Sequence, residues 1–209
     1  MERRLIRILV VDDHALLRAG LDASIGAESD MQVVAAATTG KEALALFRQH
    51  QPDVTLMDLK MPVMGGVEAI QAIRGQFPSA RVIVLSTYEG DEDIYRALAA
   101  GATTYLLKDT LAEDLVRVIR DVFAGGRPLP APVAQRLAGR MLQPELTARE
   151  LDVLRLIAKG MRNKEIAAQL GISDETTQGH VKNILLKFGL HDRTEAVTVA
   201  LRRGIVHLD

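Results

Sequence analysis

Two hydrophobic rhythms divide this chain. In its first 124 residues, short apolar runs alternate with longer stretches whose apolar positions recur every three or four residues. The runs are Ile6–Val11, Met31–Ala36, Val54–Met57, Arg81–Ser86 and Thr104–Lys108. Near-continuous apolar runs of this length, bounded by turn residues, read as strands buried on both faces, and the periodic stretches read as helices laid over them. Thr39-Gly40-Lys41-Glu42 has the spacing of a capping box, and Thr110 with Glu113 has it again before the last periodic stretch. Five strands alternating with five helices predict an α/β fold, a doubly wound parallel sheet with right-handed crossovers.

The rhythm breaks at Gly125-Gly126-Arg127-Pro128-Leu129-Pro130-Ala131-Pro132. Two glycines and three prolines in eight residues predict a linker. The linker, residues 125–143, also holds a short amphipathic helix over Val133–Leu142 whose arginines are expected in water. Beyond Pro144 the pattern is all helical: a capping box at Thr147–Glu150, a short helix over Asn163–Leu170 closed by Gly171, a helix over Asp174–Phe188 after Ser173, and a last one from about Thr194 to Arg203. Short helix, glycine turn, serine cap and second helix form a helix-turn-helix pattern. The expected division is therefore 1–124, 125–143 and 144–209.

Candidate chemistry sits where the strands end. Asp12 and Asp13 follow the first strand, Asp58 the third, Ser86 closes the fourth and Lys108 the fifth. If the strands run in the order 2-1-3-4-5, these positions converge on the carboxyl rim of the sheet, where open α/β sheets bind their ligands. Three adjacent carboxylates repel one another unless a cation joins them. Mg²⁺ suits such a set, because it takes oxygen ligands and bridges carboxylate to phosphate. The reaction this favours is in-line phosphoryl transfer onto Asp58, with Lys108 neutralising the transferring oxygens and Ser86 hydrogen-bonding them. No P-loop and no G-x-G-x-x-G before a helix supports nucleotide binding.

Composition narrows the class without changing this picture. Hydrophobic residues at 48% and charged residues at 25% are ordinary for globular proteins, and the lack of Cys excludes disulfides and thiolate metal sites. No apolar stretch reaches the roughly 20 residues of a membrane span, so a cytoplasmic protein is expected. The net charge of −1 conceals an asymmetry: residues 1–122 carry 13 Lys/Arg and 18 Asp/Glu, residues 123–143 three Arg and no acid, residues 144–209 ten Lys/Arg and nine Asp/Glu. The back half is not basic enough, by charge alone, to demand nucleic acid.

Taken together, Asp12-Asp13, Met57-Asp58-Leu59-Lys60-Met61-Pro62, Ser86 and Lys108 resemble the receiver domain of two-component response regulators. Leu146–Glu150, Asn163–Ala167 and Arg193–Val197 resemble the LuxR-type helix-turn-helix, and the whole chain resembles the NarL/FixJ subfamily. The resemblance implies a flavodoxin-like receiver followed by a small all-α DNA-binding domain. It implies Asp58 as phosphoacceptor, Asp13, Asp58 and the Lys60 backbone carbonyl as Mg²⁺ ligands, Asp12 as a ligand through water, and Ser86 with Tyr105 as a switch pair. Lys60 and Tyr88 fall where the family tunes hydrolysis, and Tyr88 is expected to shield the acyl phosphate. Lys108 precedes Asp109 where many receivers have a cis proline, so a trans bond is expected here. The implied partners are a histidine kinase, double-stranded DNA and a second copy of the chain, joined on phosphorylation.

By the same resemblance Thr176, Gln178, Gly179, Lys182 and Lys187 are the DNA contacts. Gln178 can read adenine in bidentate fashion, Gly179 offers no side chain, and the two lysines seek phosphate. Either an unusual site is read, or affinity is low before dimerisation. His14, beside two acids at a helix start, is expected to be a charge partner. Two rivals stay open: a phosphorylation-independent regulator with a vestigial acidic pocket and, more remotely, a Mg²⁺-dependent phosphohydrolase with Asp58 as nucleophile.

Overall fold

A computed structural model describes residues 4–87, 90–109 and 112–207, which fall into two compact units. The first holds five strands, β1 (Ile6–Val11), β2 (Met31–Ala37), β3 (Val54–Met57), β4 (Val82–Ser86) and β5 (Thr104–Leu107), alternating with α1 (Ala15–Gly26), α2 (Gly40–His50), α3 (Gly66–Gln76), α4 (Asp91–Ala99) and α5 (Ala112–Phe123). The sheet is parallel throughout, in the order β2-β1-β3-β4-β5. Five parallel strands alternating with helices match the reading from hydrophobic rhythm: β3 and β4 expose no residue, while the edge strand β2 is half-open, with Gln32 and Ala36 exposed. One layer of the core is built from Ile8, Val10, Leu56, Ile83, Leu85 and Leu106 of the sheet against Leu115, Ile119 and Val122 of α5.

Local chemistry sets most boundaries. Thr39 caps α2 by accepting from the Glu42 amide at 3.2 Å, but the box is only half formed: the Glu42 carboxylate turns to the amide and hydroxyl of Thr38, both 2.8 Å away. Those bonds hold the Glu42 carboxyl below its usual range. Thr110 lies outside the described residues, so the second expected box has no structural counterpart to compare. The peptide bonds described are all trans, Lys108–Asp109 included.

Helix α6 (Ala131–Met141) begins two residues before the expected Val133, with Pro132 in its first turn, where a missing N–H costs nothing. Its Arg140 is buried, at 7% exposure, against the expectation that these arginines lie in water. Four more helices follow: α7 (Ala148–Ala158), α8 (Asn163–Leu170), α9 (Asp174–Phe188) and α10 (Arg193–Arg202). Thr147 and Glu150 form a complete capping box at α7. Gly171 closes α8 at φ +65°, and Ser173 caps α9 through the Thr176 amide. Val153, Leu154, Ile166, Ile184 and Ala200 are the centre of this unit's core. Among the described residues no helix is long and apolar enough to cross a membrane.

Candidate functional site

The parallel ladder runs on past the ends of the strands and carries the polar residues with it. The Asp12 amide donates to Ala37 O, that of Asp58 to Val11 O and that of Lys108 to Ser86 O, at 2.8–3.1 Å. Each side chain is thus fixed by backbone bonds at the carboxyl rim, as the strand order required. Asp12, Asp58 and Ser86 are buried, at 1%, 3% and 0% exposure, while Asp13 reaches toward solvent.

The carboxylates of Asp12, Asp13 and Asp58 and the ring of His14 bring ligand atoms within 4.8 Å of one another. The Lys108 ammonium lies 2.7 Å from both Asp12 Oδ2 and Asp58 Oδ2. Burial pushes the Asp58 carboxyl above the usual carboxylate range, and neighbouring Asp12 adds to the rise, more than Lys108 and the Leu59 amide take back. Burial alone would lower Lys108, but its bonds to Asp12 and Asp58 outweigh this and hold the ammonium firmly charged. One cation therefore serves two buried anions, and a third lies beside them. This donor set, all hard oxygens with an excess of negative charge, fits a divalent cation of the Mg²⁺ type. His14 Nδ1 sits 2.8 Å from Asp13 and 3.2 Å from Asp12, the charge-partner position expected of it.

Supporting residues outside the pattern complete the rim. Arg18, one turn into α1, donates to the Asp12 carbonyl at 2.7 Å, and the Leu59 amide donates to Asp58 Oδ1 at 2.7 Å. After β3 the chain turns tightly: Met64 N donates to Pro62 O at 2.8 Å across Val63, which holds φ +71° with its side chain 86% exposed. A β-branched residue rarely adopts that conformation, so the turn stores strain beside the site. The turn lets Gly66 begin α3 against the Asp58 backbone, where a Cβ would stand 2.0 Å from Asp58 O. No sequence signal marked Arg18 or Gly66, because both act through backbone atoms that only the fold brings near. Lys60 follows Asp58 by two residues and is exposed. Tyr105 is fully buried, opposite Val84 in the β4–β5 register, with Ser86 opposite Leu107. Tyr88 lies outside the described residues.

In the second unit, the face of α9 bearing Thr176, Gln178, Gly179, Lys182 and Leu186 is open to solvent. Thr177 is buried and gives its hydroxyl to Ser173 O at 3.1 Å, which explains how a polar residue sits in this core. The Gln178 amide group donates to Asp174 Oδ2 at 3.2 Å, which uses one of its two N–H bonds and leaves the other and Oε1 for a further partner. Nothing stands within 4 Å of where a Gly179 Cβ would be. Lys187 differs from the other four: its ammonium pairs with buried Glu150 at 2.6 Å and with Glu145 O at 2.9 Å. That cation anchors α9 to α7. On α10, Ala196 and Ala200 are core, while Val197 and Val199 are half-buried.

The response regulator receiver domain model matches residues 8–120, and the model for bacterial regulatory proteins of the luxR family matches residues 144–200. Response regulator protein VraR of Staphylococcus aureus is 39% identical over 206 residues, spanning 96% of this chain and 99% of that protein. The crystal structure of response regulator ChrA, from a heme-sensing two-component system, is 33% identical, covers 96% of this chain and 98% of its own, and superposes with a TM-score of 0.59. A LuxR-family response regulator from an Aurantimonas species is 34% identical over 66% of this chain and 99% of its own, with a TM-score of 0.63. The chain thus belongs to the two-component response regulators, a receiver domain joined to a LuxR-type helix-turn-helix that acts in phosphorylation-controlled transcription.

Proposed function

We propose that Asp58 is the phosphoacceptor and that its phosphorylation by a histidine kinase controls occupancy of DNA in the cytoplasm. The observation that carries this reading is the 2.7 Å contact of Lys108 with both Asp12 and Asp58 inside a cluster of three carboxylates. Asp12, Asp13, Asp58 and the Lys60 carbonyl would hold Mg²⁺, which supplies charge neutralisation at the phosphoryl oxygens when bound. A carboxylate oxygen of Asp58 attacks phosphorus as the bond to the donor's leaving atom breaks, giving an acyl phosphate. Lys108 is placed to release Asp58 and meet a phosphoryl oxygen, and the Ser86 hydroxyl to meet another. Tyr105, already within the core, couples β5 to that change.

The working boundaries are receiver 1–124, linker 125–143 and DNA-binding domain 144–209, two copies of which pair on double-stranded DNA. Thr176, Gln178, Gly179 and Lys182 form the reading face, with Lys187 behind it. Acetyl phosphate with Mg²⁺ is expected to label the wild type and not Asp58→Asn; labelling that persists in the variant refutes the phosphoacceptor. Beryllofluoride, which mimics the phosphoryl group, is expected to promote pairing and tighten DNA binding. No change in either would favour a vestigial pocket, and steady turnover of an external phosphomonoester would favour a hydrolase.

A further inference from the structure

At the opposite edge of the receiver sheet, a cavity of about 170 Å³ opens where β4 and β5 begin and α5 ends. Arg74, Arg81 and Arg127 line it with Ser79 and Thr103, and no carboxylate does. Three arginines on the wall of one small cavity gather positive charge there, and the usual remedy, a facing acid, is not among the described residues that line it. Arg74 spends one nitrogen on the carbonyls of Ala80, at 3.0 Å, and Pro78. The Arg81 guanidinium lies over the Phe123 ring, 5.9 Å from its centroid, which leaves its N–H edge available. Arg81 and Arg127 have no ion pair among the described residues. The Thr103 hydroxyl accepts from the Val82 amide at 3.2 Å, and its own proton remains to donate.

We infer that this cavity binds a small phosphorylated anion through its phosphate group. A tetrahedral dianion is the chemistry that answers several guanidinium forks and two hydroxyls at once, by bidentate charge-assisted hydrogen bonds. The volume suits a phosphate or diphosphate group and falls short of the roughly 300 Å³ at which sites for larger ligands begin. Arg127 is part of the cavity wall, and the residue after it is tied to the sheet: Thr104, first residue of β5, donates its hydroxyl to the carbonyl of Pro128. Residues 123–143 contain three arginines and no acid, and the acid before them, Asp121, meets this segment through its backbone carbonyl, which accepts from the Gly126 amide at 2.9 Å. An anion seated here ties the first residue after Gly125-Gly126 to the start of β4, and gives the segment leaving the receiver a ligand of its own.

The test is a titration of ¹⁵N-labelled full-length protein with inorganic phosphate and with diphosphate, without Mg²⁺ and at constant ionic strength, against chloride. Saturable shifts are expected at the Ser79, Thr103 and Gly126 amides and at the Arg81 and Arg127 side-chain N–H groups. Arg81→Ala and Arg127→Ala should each weaken binding about tenfold, the loss of one or two charge-assisted bonds. Arg127→Lys should retain part of it, and Arg117→Ala, on the exposed face of α5, should leave it unchanged. Arg127 is exposed, so its variants keep the test alive if Arg81→Ala fails to fold. The inference is overturned by shifts that chloride reproduces, by shifts confined to the Asp58 rim, or by binding that both alanine variants leave intact.

Discussion

Replacing Gly66 with alanine tests how the Asp58 rim is held. A Cβ there would lie 2.0 Å from Asp58 O, 2.8 Å from Leu59 Cα and 2.9 Å from Asp58 C. Non-bonded heavy atoms rest at about 3.5 Å, so the overlap exceeds 1 Å against one atom, and all three are backbone. No rotamer change relieves it; either α3 or the end of β3 must move. Overpacking of this kind costs about 1–3 kcal/mol or more, whereas alanine gains at most about 1 kcal/mol of helix propensity over glycine. The clash wins. Gly75, near the other end of α3, is the control, since nothing stands within 4 Å of its would-be Cβ. Gly75→Ala should raise the melting temperature and Gly66→Ala lower it, by about 2–4 °C per kcal/mol for a chain of this size. Hydrogen exchange over residues 54–58 should quicken in Gly66→Ala alone. Labelling by acetyl phosphate should slow as well, since a displacement near 1 Å can cost about 100-fold in rate. If Gly66→Ala melts at or above the wild type, the close approach is not the constraint we describe.

Three further outcomes follow from buried polar groups. Thr55, inside β3, is fully buried and its hydroxyl has no hydrogen-bond partner among the described residues. Thr55→Val should therefore stabilise the protein by about 1 kcal/mol in chemical denaturation, and a loss would show that the hydroxyl is satisfied in solution. Lys187→Ala should cost about 1–3 kcal/mol by stranding buried Glu150, with little effect on the salt dependence of DNA binding. Lys182→Ala should do the reverse, leaving stability intact while lowering the salt slope by about 1; equal slopes in the two variants would refute the division. Burial alone would raise the Glu150 carboxyl, but the Lys187 bond, with help from Thr147, outweighs it and holds it below its usual value. A depressed carboxyl contributes stability above its unfolded value of about 4.5 that is lost as pH falls through the lower folded value. Acid melting of the C-terminal unit should show this loss below about pH 4.5, and Glu150→Gln should flatten it.

Sequence rhythm made the receiver legible because a parallel strand buried on both faces is an apolar run with definite ends. Once Ile6–Val11 and Val54–Met57 are strands in neighbouring register, Asp12 and Asp58 can only lie side by side. The Thr147–Glu150 box was legible for a related reason: both partners sit within one helical turn. Glu42 shows the limit of that logic, since Thr38 and Thr39 both lie in reach and spacing cannot rank them. Longer separations are harder still. Basic and placed on α9, Lys187 has the look of a phosphate contact in sequence, yet its partner Glu150 is 37 residues away and belongs to another helix. Arg18 and Gly66 were invisible, as what they serve is a carbonyl rather than a side chain.

The fate of Lys187 bears on how this regulator must be controlled. Affinity for DNA in general scales with the number of phosphates a protein neutralises, each contributing about 0.9 to the salt slope. The DNA-binding half carries ten Lys and Arg, a modest supply, and much of it is committed elsewhere. Arg149 donates to Leu170 O, Arg193 to Met161 O and Asn163 Oδ1, Arg155 pairs with Asp152, and Lys187 with Glu150. On the open face of α9, Lys182 is accompanied by Glu175, uncharged Gln178 and Gly179, and apolar Leu186, which is 78% exposed. By the proposed contacts one such domain has little electrostatic hold on a duplex, and Gly179 adds no side chain to the proposed reading face. Two domains held together count their phosphates twice and read two half-sites, which multiplies the affinities rather than adding them. If α9 meets DNA through this face, as proposed, so sparse a surface leaves pairing as the lever on occupancy. Pairing is then what phosphorylation of Asp58, 120 residues before Gln178 in sequence, is proposed to change.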